Sequence, residues 1–367
     1  MIGILVPCLG LGGAERQISL IAPRLKAAGL DVVVISMIQP LAFEDVLKQG
    51  NVELINLGMD KGKYSLQALF ALIKLIRKKK IDKLVTFNYP ANFSGRILKM
   101  LFPKIQVYTS IRNTTFGSPL REKIMKLTKS FDYKTIPNSS NAADQFMSRG
   151  VINPQSLNVI NNGILVQDEQ YIQAVVKPKA AAIRKEILGT EQKFLWISVG
   201  RFEVNKDYET LINACSQLMA KGQSDWVLII LGDGPLRHEM EQQISTLKLG
   251  NHIRLLGKQT EVINYYHAAD AFVSSSAWEG MPNVLTEAML FNLPAVATNV
   301  GEVSKIMNEE RGIMVNAKNA AALSEAMMQL MNKDSKTLAE MGNNASRFIK
   351  ANFNIDTIIK KWIEILN

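Results

Sequence analysis

Short β-branched runs alternate with longer amphipathic runs along the chain. In the first half, this pattern predicts strands at residues 2–6, 32–37, 84–87, 107–111 and 133–137, and helices at 13–28, 66–80 and 119–131. The alternation restarts in the second half, with strands predicted at 194–199, 226–231, 253–256, 271–275 and 295–298 and helices at 207–221, 236–247, 260–268, 282–292 and 320–332. Such an order is typical of parallel sheets with helices on both faces.

The stretch between the two series predicts the domain boundary. Residues 161–184 carry Gly163 and Pro178 without a clear period, so we predict an irregular linker there. The predicted fold class is α/β, with two tandem doubly wound, Rossmann-like domains at 1–165 and 166–352 and a central cleft as the natural ligand site. A last helix, at about 353–367, carries an apolar stripe that includes Trp362. Packing back on the first domain would cover this stripe.

The charge of the chain is unevenly placed. The net charge is +10 over 367 residues, and residues 1–165 alone hold 22 Lys and Arg against 10 Asp and Glu. This basic half favours an anionic partner, whether nucleic acid, an anionic membrane surface or a phosphorylated lipid. A solvated basic surface without a partner is the alternative. Two distant cysteines, Cys8 and Cys215, indicate a reducing, cytoplasmic setting.

Two segments combine apolar and basic residues. Residues 65–80 are apolar and end in four consecutive basic residues, and residues 96–104 pair Arg96, Lys99 and Lys104 with apolar neighbours. Such composition suits a bilayer interface, although a core-packed helix with a basic last turn explains it equally well. The longest apolar run is interrupted by Lys74 and falls short of the roughly 20 residues of a membrane span, and no signal peptide is predicted.

A glycine-rich turn follows the first predicted strand. The sequence C-L-G-L-G-G-A-E-R-Q brings Gly12 and Gly13 to the start of the first helix, where backbone amides favour anions. Glu15 stands where a dinucleotide fingerprint needs its third glycine, which disfavours a nicotinamide enzyme. Tight packing alone is the competing explanation.

A basic loop follows the first strand of the second half. In V-G-R-F-E-V-N-K-D, Arg201 and Lys206 come after the carboxyl end of that strand. A planar guanidinium with a point charge suits a diphosphate, while a solvated basic loop is the alternative. The later turn L-G-D-G-P-L-R is explained by structure alone.

Two carboxylates flank a predicted helix start in S-S-A-W-E-G-M-P-N-V-L-T-E-A-M, which begins at Ser275. Glu279 lies in the loop and Glu287 in the helix, and Pro282 is the predicted first helical residue. The following amides, of Asn283, Val284 and Leu285, would then be available to a phosphate. Ordinary surface glutamates are the competing explanation.

The sequence motifs of several other enzyme classes are absent. The chain contains no D-x-D, G-x-S-x-G, G-K-[ST] or C-x-x-C motif, and His238, His252 and His267 lack metal-ligand spacing. We therefore predict neither a metal nor a cofactor.

Taken in order along the chain, these motifs resemble glycosyltransferase family 4, the retaining enzymes of the GT-B fold. The resemblance covers nearly the whole chain and is carried by these segments: G-G-A-E-R at 12–16, V-G-R-F-x-x-x-K at 199–206, G-D-G-P at 232–235, W-E-G-M-P-N-V-L-T-E-A-M at 278–289 and P-A-V-A-T-N-V-G-E at 294–302. It implies an acceptor-binding first domain and a nucleotide-sugar-binding second domain.

The resemblance implies a role for each matching residue. Arg201 and Lys206 match the pair that holds the donor diphosphate, Glu279 lies beside the donor sugar, and Glu287 binds the ribose. Matching backbone segments are Gly280, Met281 and Pro282 at the sugar, Asn283, Val284 and Leu285 at the phosphate, Gly257, Lys258 and Gln259 near the base, and Gly12 and Gly13 in a loop that closes over donor and acceptor.

The chain departs from the family pattern at one position. Many members carry a histidine after the strand that ends near Ser110, but here the segment reads T-S-I-R-N-T and places Arg112 or Asn113 there. The departure bears on the acceptor side rather than on the donor site.

The implied function is metal-independent transfer of a hexose or N-acetylhexosamine, with retention, from a nucleotide diphosphate sugar to a saccharide acceptor. The family implies UDP as the favoured nucleotide, a lipid-linked acceptor for a surface polysaccharide such as O-antigen, no nucleic-acid partner, and a peripheral place on the inner face of a bacterial membrane. The alternatives are a non-hydrolysing sugar-nucleotide epimerase and a catalytically silent nucleotide-sugar-binding subunit.

Overall fold

The computed structural model describes residues 1–10, 12–59, 66–113 and 115–367, and at 66–68 the backbone only. Leu11 of the glycine-rich turn, Ser65 of the first apolar-basic segment and Thr114 lie outside the described residues. The chain divides into two compact units, one formed by Met1–Leu165 with Phe353–Asn367 and the other by Val166–Asn352.

The first unit contains a six-stranded parallel sheet in the order β3-β2-β1-β4-β5-β6. Its strands are β1 (Ile2–Val6), β2 (Val32–Ser36), β3 (Glu53–Asn56), β4 (Lys83–Phe87), β5 (Gln106–Ile111) and β6 (Lys134–Pro137). Its helices are α1 (Gly13–Ala27), α2 (Glu44–Gln49), α3 (Leu66–Lys79), α4 (Asn88–Leu101), α5 (Pro119–Leu127), α6 (Ser140–Ser148) and the C-terminal α16 (Ile355–Leu366).

Apolar, β-branched strands occupy the middle of this sheet. β1 is buried along its whole length and pairs with β2 and β4, with Ile4 opposite Val34 and Val85. Strands covered on both faces need such continuous apolar runs. The strand order reverses between β1 and β4, so the loops after these two strands lie at the switch point where doubly wound sheets bind ligands.

The C-terminal helix α16 belongs to the first unit. It contacts α1, and its buried face, which includes Ile358 and Trp362, joins the hydrophobic core of that unit. The Trp362 ring stacks on Phe87 with 6.2 Å between ring centroids. The apolar stripe of the last helix is therefore covered by the first unit, far from it in sequence.

The second unit repeats the architecture with a parallel sheet in the order β12-β11-β10-β7-β8-β9. Its strands are β7 (Phe194–Val199), β8 (Trp226–Leu231), β9 (Ile253–Gly257), β10 (Ala271–Ser274), β11 (Ala295–Thr298) and β12 (Gly312–Val315). Its helices are α7 (Glu169–Tyr171), α8 (Lys177–Leu188), α9 (Tyr208–Ala220), α10 (Arg237–Thr246), α11 (Val262–Ala268), α12 (Asn283–Leu290), α13 (Val303–Ile306), α14 (Ala320–Met331) and α15 (Ser335–Phe353). The predicted α/β fold class, with two doubly wound sheets, is confirmed.

Several predicted elements need correction. The irregular linker is wrong beyond residue 168, because α7, a π-helical turn at Ile172–Val176 and α8 follow one another directly. The hydrophobic pattern did not predict six elements, because their segments are polar or short: β3, β12, α2, α4, α6 and α15. Helix α4 begins with Asn88 in a left-handed conformation (φ 67°), which the apolar pattern does not signal.

The second apolar and basic segment, for which a bilayer interface and a core-packed helix were both open, is divided between core and surface. Within residues 96–104, Leu98 is buried in the core and Arg96 is only 2% exposed, so neither belongs to a surface. Met100 and Leu101 are exposed. Among the described helices, none combines the length and the apolar content that crossing a bilayer requires.

Candidate active site

The candidate site of the second unit lies at the carboxyl ends of β7 and β10. These two strands are neighbours, and the strand order reverses between them. The loop after β7 carries Arg201 and Lys206, and the loop after β10 carries Glu279. Because parallel strands end at one edge of the sheet, segments separated by more than 70 residues meet there.

Lys206 and Glu279 form an ion pair at this switch point. The Lys206 Nζ donates to Glu279 Oε1, and both side chains are largely buried. Ser276 Oγ donates to the same carboxylate oxygen at 3.1 Å. The pair therefore sits in a partly desolvated place, where charge interactions are stronger than at the surface.

Backbone contacts hold the two loops together. Ser275 Oγ donates to the Lys206 carbonyl at 2.9 Å, and the Ala277 amide donates to the Asn205 carbonyl at 2.8 Å. Gly301 lies beneath the second loop with φ 58°, and a Cβ there would come within 2.5 Å of the Glu279 carbonyl oxygen. Only glycine allows this approach without strain, so Gly301 helps to position Glu279.

Arg201 does not join the buried pair. Its side chain is 74% exposed and contacts Glu203, with Nη2 at 2.9 Å from Oε1. An exposed pair of this kind contributes little to stability, so the guanidinium can reorient toward a ligand at small cost.

The loop after β7 ends at the N-terminus of helix α9. Asp207 has a left-handed backbone (φ 48°) and caps α9, accepting from the Thr210 hydroxyl at 2.8 Å. Tyr208 follows, and burial raises the pKa of its hydroxyl above the usual range. The Asp207 cap therefore fixes the backbone directly after Lys206 to the start of α9.

Helix α12 begins one residue later than predicted. Pro282 is the N-cap residue rather than the first helical one, and the Asn283 amide donates to the Met281 carbonyl at 3.0 Å. The expected free amide at Asn283 is therefore already used. Val284 and Leu285 lie in the first turn, whose amides lack intrahelical partners. Gly280 and Met281 precede them in the loop.

Glu287 occupies a different environment from Glu279. It is half-buried on α12, and the Tyr266 hydroxyl lies 3.4 Å from its Oε2. The same hydroxyl lies 3.3 Å from the Val284 carbonyl oxygen. Tyr266 therefore helps to orient the Glu287 carboxylate on α12.

The loops after β8 and β9 adjoin the β7 loop. The Gly232 amide donates to the Gly257 carbonyl at 2.9 Å, and a Cβ on Gly232 would lie 1.8 Å from the Gly200 carbonyl oxygen. Beyond Gly257, Lys258 is exposed and Gln259 donates through Nε2 to the Leu256 carbonyl at 2.7 Å. These residues line the same sheet edge as Lys206.

The glycine-rich turn of the first unit lies at the other switch point. Gly12 caps α1 and Gly13 opens it, and both are exposed. The Glu15 carboxylate folds over this helix start, so that a Cβ on Gly12 would lie 2.2 Å from Glu15 Oε2. Burial raises the pKa of the Glu15 carboxyl.

Arg112 and Asn113 follow β5 in the first unit. Asn113 is exposed, but Arg112 is buried, and its Nη1 donates to Asn162 Oδ1 at 2.7 Å. The guanidinium lies over the Phe87 ring, 4.8 Å from its centroid. Burial lowers the pKa of Arg112 to about 9, which keeps it charged at neutral pH.

Sequence reasoning missed the residues that support the site. Ser276, Tyr266, Tyr208 and Gly301 orient or approach the predicted residues. Ser276 and Gly301 lie within the sequence motifs, but no role was predicted for any of the four. The only available signal was position, since Ser276 and Gly301 each follow the end of a predicted strand.

Two family models match the chain. Glycosyltransferase Family 4 matches residues 11–167, and Glycosyl transferases group 1 matches residues 180–348. Together they span most of both units.

The relatives found by sequence have low identity to this chain, but the matches cover most of it. An Escherichia coli UDP-Gal:α-D-GlcNAc-diphosphoundecaprenol α-1,3-galactosyltransferase is 26% identical, with 79% of this chain and 76% of the relative covered. A Campylobacter jejuni N-acetylgalactosamine-N,N'-diacetylbacillosaminyl-diphospho-undecaprenol 4-α-N-acetylgalactosaminyltransferase is 24% identical, with 95% of both covered.

Solved structures share the fold over the whole chain. Anabaena HepE in complex with UDP is 20% identical and superposes with a TM-score of 0.84, covering 100% of this chain and 99% of that one. Sucrose-phosphate synthase from Thermosynechococcus elongatus is 19% identical with a TM-score of 0.80, covering 100% and 98%.

The two doubly wound units thus have the GT-B fold, and the matched models define a glycosyltransferase. The chain belongs to glycosyltransferase family 4. This membership removes the support for the epimerase alternative.

Proposed function

We propose that the protein transfers a hexose or N-acetylhexosamine, with retention, from a UDP-sugar to a lipid-linked saccharide during synthesis of a bacterial surface polysaccharide. The observation that carries the proposal is the largely buried Lys206–Glu279 pair at the β7–β10 switch point. Relatives named for transfer to undecaprenol-linked saccharides, and a structural neighbour bound to UDP, support the donor and acceptor classes.

The proposed donor site uses cations and helix amides. Lys206 and the exposed side chain of Arg201 would bind the diphosphate and stabilise the negative charge that develops on it as the sugar departs. The first-turn amides of Val284 and Leu285 add partial positive charge at the same edge. These groups would supply the stabilisation without a metal ion.

The two glutamates have separate proposed roles. Glu279, held by Lys206 and Ser276, would lie beside the donor sugar. Glu287, held by Tyr266, would accept hydrogen bonds from the ribose hydroxyls. No protein nucleophile is assigned, so we propose front-face attack by the acceptor hydroxyl on the anomeric carbon. The bond between that carbon and the diphosphate oxygen breaks as the new glycosidic bond forms, and the departing diphosphate oxygen takes the hydroxyl proton.

Product analysis tests this function. The purified chain is incubated with UDP-galactose, UDP-glucose and their N-acetylamino forms, each with an undecaprenyl-diphosphate-linked acceptor, and the product is examined by mass spectrometry and NMR. We expect an α-linked product from one of these α-donors, unchanged by EDTA. An inverted linkage or EDTA-sensitive turnover would contradict the retention or the metal independence.

Variants connect the activity to the site. Lys206→Met should lower kcat/KM about 100-fold, because it removes a charge aimed at the leaving group. Lys221→Met, which breaks an exposed pair with Glu325 in the same unit, is the matched control and should retain wild-type turnover. Glu279→Gln should mainly lower kcat, and Glu287→Gln should mainly raise KM for the donor. Donor binding without any transfer would leave a silent binding subunit as the explanation.

We further propose a peripheral place on the cytoplasmic face of the membrane, through the first unit. Phe70, Met100 and Leu101 are exposed on α3 and α4 of the strongly basic first unit. Apolar side chains among cations suit an anionic bilayer surface. Co-sedimentation with anionic vesicles should fall with salt and exceed that with neutral vesicles; equal, salt-independent binding would refute the electrostatic contribution.

A further inference from the structure

A pocket of about 310 Å³ lies in the first unit, at the carboxyl ends of β4 and β5. The residues that matter to its chemistry are Asn88, Tyr89, Asn92, Arg112, Phe116 and Arg121. Among its described lining residues there is no aspartate or glutamate. The pocket therefore has cations without a matching carboxylate.

The central feature of the pocket is the guanidinium of Arg112. The residue is 8% exposed, and of its three nitrogen atoms only Nη1 has a hydrogen-bond partner in the described chain, namely Asn162. Nε and Nη2 are buried and lack one. A buried charge with unsatisfied donors costs free energy, and these two adjacent donors form the fork that binds an oxyanion in a bidentate manner.

A second unsatisfied group lines the same pocket. Asn92 is 1% exposed, and its Nδ2 donates to the Ser110 carbonyl at 3.1 Å, whereas its Oδ1 has no partner among the described residues. An unpaired acceptor and unpaired donors in one pocket match a ligand that carries both a hydroxyl group and a negative charge.

The surroundings favour negative charge as well. Helix α4 starts at the pocket with Asn88. It has neither a side-chain cap nor an acidic residue in its first turn. The N-terminus of a 14-residue helix attracts anions. At the rim, the exposed Arg121 places its guanidinium 4.9 Å from the Tyr89 ring centroid.

We propose that this pocket binds an oxyanion, a phosphate or a carboxylate, carried by the acceptor close to a hydroxyl group. The Nε and Nη2 of Arg112 donate to two of its oxygens, Asn92 Oδ1 accepts from the hydroxyl, and Arg121 contributes charge at the entrance. The identification of the ligand as the acceptor rests on the proposed transferase function, whereas anion binding by this pocket does not depend on it. A phosphate next to the first sugar of a lipid-linked acceptor and the carboxylate of an acidic sugar are the two sources of such a group.

Equilibrium titration of the full chain tests the proposal without using turnover. Inorganic phosphate, methyl phosphate and methyl glucuronoside are titrated calorimetrically in the presence of saturating UDP, which occupies the second unit's candidate diphosphate site. Methyl glucoside is the neutral control. We expect at least one anionic probe to bind, with methyl glucoside binding at least tenfold more weakly.

Variants locate the binding. Arg112→Gln should weaken binding of the probe at least tenfold, and Lys221→Met, which removes an exposed cation of the second unit away from the candidate donor site, should leave its affinity unchanged. Arg121→Glu changes an exposed residue and so keeps the test valid should Arg112→Gln fail to fold; we expect at least fivefold weaker binding. No binding of any anionic probe, or equal affinity in the wild type and both pocket variants, would overturn the proposal.

The probes also distinguish the two sources. Binding of the phosphates alone identifies a phosphorylated acceptor, and binding of the glucuronoside alone identifies an acidic sugar. Binding that depends on Arg112 in a protein with no transferase activity would support the pocket while refuting the proposed function.

Discussion

Two buried arginines in the first unit differ in how their donors are satisfied. Arg96 on α4 binds Asp132 through both Nε and Nη2, at 2.8 and 2.5 Å, and its Nη1 donates to the Met125 carbonyl and the Thr128 hydroxyl. Arg112, after β5, has Asn162 as its described hydrogen-bond partner and two nitrogen atoms without one. Both are less than a tenth exposed.

The difference separates a structural charge from one available to a ligand. Arg96 and Asp132 neutralise each other, and Thr109 and Thr135 also donate to the carboxylate. Burial of such a network is tolerated because its members satisfy one another. Arg112 lies instead after the carboxyl end of β5, beside a pocket. Among the described residues, its burial is offset by contact with the Phe87 ring and by one side-chain hydrogen bond. We infer that the remaining donors are kept for binding.

The largest effect expected from this comparison is that of Arg96→Met. It leaves the Asp132 carboxylate buried without its cation, and the free energy of unfolding should fall by about 3 to 5 kcal/mol. Urea denaturation followed by circular dichroism measures the change. Adding Asp132→Leu to Arg96→Met should recover much of the loss, because no unpaired charge then remains. If Arg96→Met alone were as stable as the wild type, the Arg96–Asp132 network would contribute no stability.

A smaller effect is expected from Arg112→Met. Removing an incompletely satisfied charge while keeping apolar contact with Phe87 should change the free energy of unfolding by no more than about 1 kcal/mol. Arg201→Gln, at an exposed arginine, gives the reference and should lie within about 0.5 kcal/mol of the wild type. A loss of 3 kcal/mol or more in Arg112→Met would place Arg112 with Arg96, as a structural residue.

Much of the fold was predictable because its strands are continuous apolar runs. β1, β7 and β8 begin and end at the predicted residues, as central parallel strands buried on both faces. Elements with weaker patterns were missed. Helix α4 starts N-Y-P-A-N-F-S, where polar and small residues hide the period, and β3 at the sheet edge is only partly buried.

The candidate site was predictable where its residues follow strand ends. Arg201, Lys206 and Glu279 were proposed from their positions after strands, and the structure adds that Lys206, rather than Arg201, pairs with Glu279. The start of α12 was misplaced because the local conformation at Pro282 depends on the contacts of the preceding loop, including Glu302 N to Gly280 O at 3.2 Å.

The two α/β series, the glycine, cation and carboxylate motifs after the strands, and the resemblance to glycosyltransferase family 4 are all visible in the sequence. These features are local, because hydrophobic period and turn chemistry act over a few residues. Which of the two buried arginines has all its donors satisfied depends on contacts between segments far apart in the sequence. Arg96 meets Asp132 across 36 residues and Arg112 meets Asn162 across 50, so their partners depend on how the strands are ordered in the sheet. The W-E-G-M-P-N-V-L-T-E-A-M motif shows the same limit, since the pairing of its first glutamate with Lys206 requires β7 and β10 to be neighbours.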